Sequence, residues 1–335
     1  MKIIVDGMGG DHAPAEILKG CAMAAAEWDV DLIVTGPESV LKQCAAEQNI
    51  CLDRISFADA EQVISMEDEP LSVVKEKRNS SLGVAMDLLK DGAADALVSA
   101  GNSGAILSGG TLIVRRIKGV KRAAFGATLP TKTGYTLLMD SGATVDCRPE
   151  FLYQYGLMGS IYMKHMFGLD RPEVGLANNG AEESKGTDLY VRAYQLLKSD
   201  PNLHFIGNVE GRGIMQGECR VLVADGFTGN LILKTVEGTA LYLMKTLKGL
   251  FLKNLKTKIA ALLVKDGISE LKNKMDYKEV GGAPLIGTQK PIIKAHGSSD
   301  ARAIKNAIRQ AKTYAQSHMI QEIADALAAG GEQDV

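Results

Sequence analysis

This chain has no excess of charge of either sign. Its 38 Lys and Arg stand against 40 Asp and Glu, a formal net charge of −2. Nucleic acid, which selects a strongly basic face, is therefore not expected as a partner. Cysteine is sparse. Cys21, Cys44, Cys51, Cys147 and Cys219 are scattered and form no Cys-x-x-Cys pair, which argues against a disulfide framework and suits a reducing compartment. No group of residues has metal-ligand spacing, so no metal is expected. No apolar run approaches the ~20 residues of a membrane span. Met1-Lys2 leads directly into a strand-like segment, so no secretory leader is expected. Nucleotide fingerprints are missing too. In "IIVDGMGGDHAP" (3–14), Gly7, Gly9 and Gly10 begin a dinucleotide loop, but His12 occupies its third position. The second strand ends Val34-Thr35-Gly36-Pro37 without the ribose-binding acid, and no Walker loop occurs.

What is present is alternation. Short β-branched runs at 2–5, 31–35, 54–58, 95–99, 123–128, 135–139, 173–177, 203–207, 220–224 and 291–295 read as strands. Helical patterns lie between them at 14–27, 38–48, 80–91, 104–117, 149–167, 185–198 and 300–328. Near-continuously apolar strands alternating with helices predict an α/β fold, with a buried, mostly parallel sheet flanked by helices in three layers. No Pro/Gly/Ser linker divides the chain, so residues 1–330 are expected to form one compact unit and 331–335 a flexible tail.

Ligands of such sheets bind outside the carboxyl ends of the strands. Five loops at those positions are rich in glycine and hydrogen-bonding side chains. The first carries Asp11 and His12 before Pro14, which suits a helix start. The second, "VSAGNSGAILSGG" (98–110), carries Asn102 and Ser103. The third, "VADGFTGNLILKTVEG" (223–238), carries Asp225, Thr228 and Asn230. The fourth, "NNGAEESKGTDL" (178–189), carries Lys185, and the fifth, "AHGSSDARAIK" (295–305), carries His296 and Ser298. Each alone is readable as a tight turn with a capped helix. A turn does not require all five to carry donors, and together they predict a site for a small, highly charged anion held by amides and hydroxyls.

The ordered set "VDGMGGDHAP", "SAGNSGA", "GNVEGR", "DGFTGN…LKTVEG", "GGAPLIG" and "AHGSSD" runs from residue 5 to residue 300. In these stretches the chain resembles the bacterial acyl-ACP:phosphate acyltransferases of phospholipid synthesis. The resemblance implies a fold similar to phosphate acetyltransferases and isocitrate dehydrogenases, a homodimer, and no nucleotide or metal cofactor. It implies transfer of a fatty acyl group from the thioester of acyl carrier protein to inorganic phosphate. The acyl phosphate so formed would be used by a glycerol-3-phosphate acyltransferase. It also implies a cytoplasmic enzyme, peripherally associated with the inner face of the cell membrane. Lys185 and Asn230 match the lysine and asparagine implicated in the family's activity. Where the family pattern reads LDLGAN, this chain has Met139-Asp140-Ser141-Gly142-Ala143-Thr144, and no role is assigned to that loop.

For such a reaction Asn230 would face the oxyanion, and Lys185 the phosphate or the departing thiolate. Asn102, Ser103, Thr228 and Ser298 would donate to phosphate, with Asp11 and Asp225 beside them. His12 or His296 would protonate the thiolate. A basic surface for the acidic carrier protein is offered by Arg115, Arg116, Lys118, Lys121 and Arg122. Residues 241–278 carry nine Lys and three acids. Leu243, Leu247, Leu250, Phe251 and Leu255 fall largely on one helical face, away from Lys245, Lys253 and Lys256, as in an amphipathic hairpin that packs in a dimer or lies on a bilayer. A coenzyme A-dependent short-chain phosphate acyltransferase and a decarboxylating dehydrogenase of similar architecture are the rival enzymes, and a membrane-recruited scaffold the non-enzymatic rival.

Overall fold

A computed structural model describes residues 1–268 and 281–331. The end of the expected 241–278 hairpin and residues 332–335 of the expected tail lie outside that range. The strands are β1 (Lys2–Asp6), β2 (Asp31–Gly36), β3 (Ile55–Asp59), β4 (Ala96–Ser99), β5 (Ala124–Thr131), β6 (Gly134–Met139), β7 (Glu173–Asn178), β8 (His204–Glu210), β9 (Val221–Val223), β10 (Ala283–Ile286) and β11 (Ile292–Lys294). They form one sheet in the order β3-β2-β1-β4-β11-β10-β5-β6-β9-β7-β8.

The sheet reverses direction part-way across. β3, β2, β1, β4 and β11 run parallel to one another. β10 is antiparallel to both of its neighbours, β11 and β5. β5 turns back into β6 as an antiparallel hairpin, and β6, β9, β7 and β8 run parallel to one another. The carboxyl ends of the two parallel sets would face opposite ways in a flush sheet, but here the register staggers them together. Ser99 pairs with Lys294, and Lys294 with Ala283. Two residues further along β10, Leu285 pairs with Phe125. The next residue of β5, Gly126, pairs with Met139, which pairs with Val223. At ~3.4 Å per residue, the ends of β4 and β11 lie within about 10 Å, measured along the strands, of the ends of β6 and β9. Loops from both sets meet over the middle of the sheet.

Successive side chains of a strand point to opposite faces, and both faces here are covered. Ile3 and Val5 pack into a core with Leu18, Tyr155 and Ile304, on the side of the helices Ala15–Glu27, Pro149–Phe167 and Ala301–Gln316. Ile4 and Leu97 pack on the other side against Leu82, Met86 and Ile106. A third cluster under Leu138 and Leu222 takes in Leu233 of the helix Gly226–Leu252. Each fully buried Leu or Ile is worth about 1.5–3 kcal/mol.

Three expected helices are corrected at their ends. The pattern at 104–117 forms a helix Ser103–Gly109 that continues as a π-helical turn to Val114 and ends where Arg115 takes a positive φ of 75°. The pattern at 300–328 breaks at extended Ser317 into Ala301–Gln316 and Met319–Gly331. The pattern at 185–198 starts only at Asp188, after Thr187, so Lys185 lies in the loop. Pro14 occupies the cap position before Ala15 instead of the first helical turn.

Gly226–Leu252 has only Gly226 and Gly229 buried. Leu241, Leu243, Leu250 and Leu252 are exposed, as are Leu255, Ile259, Leu262 and Leu263 of the next helix, Leu255–Leu263. This apolar surface is not part of the chain's own core.

Candidate active site at the sheet reversal

The meeting of the two strand sets leaves a partly open cavity of about 360 Å³. Its lining includes the apolar side chains of Phe125, Ala127, Leu233 and Ala283. It also includes the polar side chains of Ser103, Asn230, Lys234, Glu237, Lys294 and His296. Loop residues Ser141 and Gly142 form part of its lining.

The position of Asn230 follows from its helix start. Asp225 caps the helix, accepting from the backbone N–H groups of Phe227 and Thr228, each at 2.9 Å. It also accepts from the Thr228 hydroxyl at 2.7 Å and the Tyr190 hydroxyl at 2.6 Å. Burial opposes ionisation of Asp225, but these donors outweigh it and hold the carboxyl below its ordinary 3.8. Two close approaches then seat the helix. A Cβ added at Gly226 would come within 2.7 Å of the Thr144 backbone, and one at Gly229 would overlap the Asp140 carbonyl oxygen. Only glycine admits this contact. Asn230, next in sequence, is exposed to the cavity with its amide beside Gly142.

The loop left without a role, Ser141–Thr144, is therefore part of the site. Its shape is set by Asp140, which is fully buried. Asp140 accepts from the backbone N–H groups of Gly142 (3.0 Å), Ala143 (2.9 Å), Thr144 (2.7 Å) and Phe125 (3.3 Å). Burial lifts its carboxyl to about 6 despite these donors.

The other loops are tied from below. Ser99 donates to the buried Asp6 carboxylate at 2.7 Å, joining β4 to β1. The Asp11 N–H donates to the Gly297 carbonyl at 2.8 Å, joining the first loop to the fifth. His296 accepts at Nδ1 from the Ser298 N–H (3.2 Å), with the Ser298 hydroxyl 2.9 Å away. That geometry assigns the ring proton to Nε2. Burial, then Lys294 and Lys234, depress the ring's proton affinity below its ordinary 6.5, so it is neutral at pH 7.

Of the residues singled out from sequence, the structure brings Ser103, Asn230 and His296 into the cavity. Asn102 lies beneath it, with its amide already engaged. Its Nδ2 donates to the carbonyls of Met66 and Asp68, each at 3.1 Å, and its Oδ1 caps Ala105 N–H at 3.1 Å. Asp225 and Thr228 are likewise used by the helix cap. Neither is part of the cavity lining. Asp11, His12 and Ser298 are exposed outside the cavity wall. Lys185 is exposed on the loop after β7, one strand beyond β9, and its carbonyl accepts from Asn178 at 3.1 Å. Lys294 and Lys234 were missed. The signal for Lys294 was a charge inside the strand "PIIKA", whose neighbours Ile292, Ile293 and Ala295 are fully buried.

Among the described residues, no group of three or more His, Cys, Asp or Glu is placed to hold a metal ion, and no helix is long and apolar enough to cross a membrane.

Solved structures similar to this one include a phosphotransacetylase from Staphylococcus aureus, with a TM-score of 0.62, 17% identity and 94% coverage of both chains. A 4-hydroxythreonine-4-phosphate dehydrogenase from Klebsiella pneumoniae matches with a TM-score of 0.53 and 13% identity, covering 94% of this chain and 99% of the other. These likenesses establish the fold. Closer in sequence is a phosphate acyltransferase of Clostridioides difficile, 44% identical over 324 residues, 96% of this chain and 95% of the relative. A phosphate acyltransferase of Caldanaerobacter subterraneus is 44% identical over 334 residues, 99% of both chains. The model of the family described as fatty acid synthesis protein matches residues 1–322. With full-length relatives at this identity, the chain belongs to the phosphate acyltransferase family and is an acyltransferase.

Proposed function

We propose that this enzyme transfers a fatty acyl group from the thioester of acyl carrier protein to inorganic phosphate, supplying acyl phosphate for phospholipid synthesis. The observation that carries the reading is the mixed lining of the cavity. Its apolar side chains suit the acyl end of a fatty thioester, and its hydroxyl, amide and cationic donors suit an oxyanion and phosphate.

The chemistry balances without an enzymic nucleophile. A hydrogenphosphate oxygen attacks the thioester carbonyl carbon, forming a C–O bond and moving the carbonyl electrons onto oxygen. Collapse of that oxyanion breaks the C–S bond. The proton left on the phosphate passes to the thiolate, giving the acyl phosphate dianion and a free thiol. The enzyme's task is placement and stabilisation. Orientation of two bound reactants is worth about 7 kcal/mol or more in ideal cases. One oxyanion donor is worth about 3 kcal/mol, the role given to Asn230. Neutral His296 serves as a hydrogen-bond donor from Nε2, as a neutral imidazole polarises a carbonyl, and not as a proton source. Ser103, in the cavity lining, offers its hydroxyl to the phosphate. Lys185 is assigned to the acyl-donor side, next to the departing thiolate.

Arg115, Arg116, Lys118, Lys121 and Arg122 are all exposed, as a surface for an acidic carrier requires. The exposed leucines of the helices Gly226–Leu252 and Leu255–Leu263 suit a second copy of the chain or the inner membrane face, near an acyltransferase that consumes the product. The deciding experiment is release of carrier-protein thiol by the purified chain with and without phosphate. Release only with phosphate, and faster from acyl carrier protein than from acyl-coenzyme A, is expected. Phosphate-independent release, preference for a short acyl-coenzyme A, or binding of NAD(P) by calorimetry would remove the reading.

A further inference from the structure

Lys294 ends β11 and lines the cavity with Asn230 and His296. Among the described residues it makes no ion pair. One of its three N–H donors goes to the carbonyl of Ala295 at 3.2 Å. Lys234, which also lines the cavity, is different: Glu237, itself in the lining, pairs with it at 2.7 Å. Burial and the like charge of Lys234 press on the Lys294 ammonium, and Glu237 offsets only part of this, so it loses its proton more readily than an ordinary lysine. Lys294 also interrupts a strand whose neighbouring residues are fully buried. A half-buried ammonium with no ion pair among the described residues is favoured by an anion bound in the cavity.

We infer that Lys294 is the residue that holds the phosphate, its ammonium against a phosphate oxygen in the cavity. This rests on the acyl-to-phosphate reading and refines it, because the lysine singled out from sequence, Lys185, lies outside the cavity wall. Lys294 offsets the dianion's charge while the Ser103 hydroxyl and the His296 ring orient it. Lys234, already neutralised by Glu237, adds little net charge. The division of labour is that Lys294 acts on phosphate and Asn230 on the acyl oxyanion.

The test compares the full-length chain with Lys294→Met, which keeps the stem, and Lys294→Arg, which keeps the charge. Three quantities are read: phosphate-dependent thiol release from acyl carrier protein, binding of inorganic phosphate alone by calorimetry, and Tm. Lys294→Met is expected to lower kcat/KM for phosphate about 100-fold, leave KM for the acyl donor within about threefold, and abolish the phosphate heat. Its Tm should stay level or rise, whereas loss of a structural lysine would lower it. Lys294→Arg should restore part of the phosphate binding. If Lys294→Met keeps phosphate affinity and kcat/KM within about threefold of wild type, the role is overturned, and phosphate-dependent release by the wild type would leave the acyltransfer reading standing. A wild type that binds phosphate through Lys294 yet releases no thiol supports the site and removes the reading instead.

Discussion

Gly229 rests against the carbonyl oxygen of Asp140, so that the helix carrying Asn230 is docked on the loop that closes the cavity. A methyl at that position overlaps the carbonyl, and the helix start has little room to retreat because Gly226 is also packed closely against the Thr144 backbone. Gly229→Ala is expected to cost about 3 kcal/mol, read as a lower midpoint in urea. The turnover of whatever remains folded should fall too, since Asn230 moves with its helix. Unchanged stability would mean that the helix start shifts freely and does not fix Asn230.

Asn230 and Lys185 separate under kinetics. Asn230 is exposed to the cavity and takes no part in the helix cap. Asn230→Ala should therefore leave Tm unchanged while kcat falls about 100–1000-fold. Lys185, on the loop beyond β9, is expected to act on the acyl donor. Lys185→Ala should lower turnover with KM for phosphate held within about threefold. A large rise in that KM would place Lys185 on the phosphate instead.

His296 supplies a pH test. Its ring is held neutral by burial and by the ammoniums of Lys294 and Lys234. Since its folded proton affinity lies below the ordinary 6.5, the unfolded chain takes up the proton first. Its contribution to stability is thus complete above about 6.5 and is lost as pH falls through the lower folded value. Lys294→Met removes one of the causes, so the His296 titration followed by NMR should move up toward 6.5. A midpoint unmoved by that substitution would show that Lys294 and His296 do not share the cavity electrostatically.

Much of the fold was legible because buried parallel strands are apolar on both faces, and runs such as "KIIV" and "DLIVT" announce themselves. β10 was not. "GGAPLI" reads as a turn, and its four residues are held as a strand only by β11 and β5, pairings that no local pattern encodes. With β10 hidden, the reversal of the sheet was hidden as well, and so was the reason that loops after β4, β6, β9 and β11 meet. The five glycine loops correctly marked strand ends but not which donors stay free. Asn102, Asp225 and Thr228 look like ligand-binding groups in sequence, yet are used by backbone amides, carbonyls and Tyr190. The Asp140 loop departs from the family's pattern at several side chains, but its contribution to the site is made by a buried carboxylate and backbone N–H groups.

The surface of the helices Gly226–Leu252 and Leu255–Leu263 yields the last prediction. Leu255 is 75% exposed and Leu263 84%, values that no core or ordinary surface stripe would favour. Lys248, Lys253, Lys256 and Lys258 stand among these leucines and are unpaired by acids within the described residues. A purely dimeric contact would need the leucines but not the lysines, whereas an anionic bilayer uses both. Lys253→Glu with Lys256→Glu should weaken flotation with vesicles containing anionic lipid, have no effect on neutral vesicles, and leave turnover on soluble acyl carrier protein intact. Leu255→Ser with Leu263→Ser should weaken flotation on both kinds of vesicle. Unchanged flotation in the charge-reversed pair, together with a monomeric leucine variant, would assign this surface to a second copy of the chain in place of the membrane.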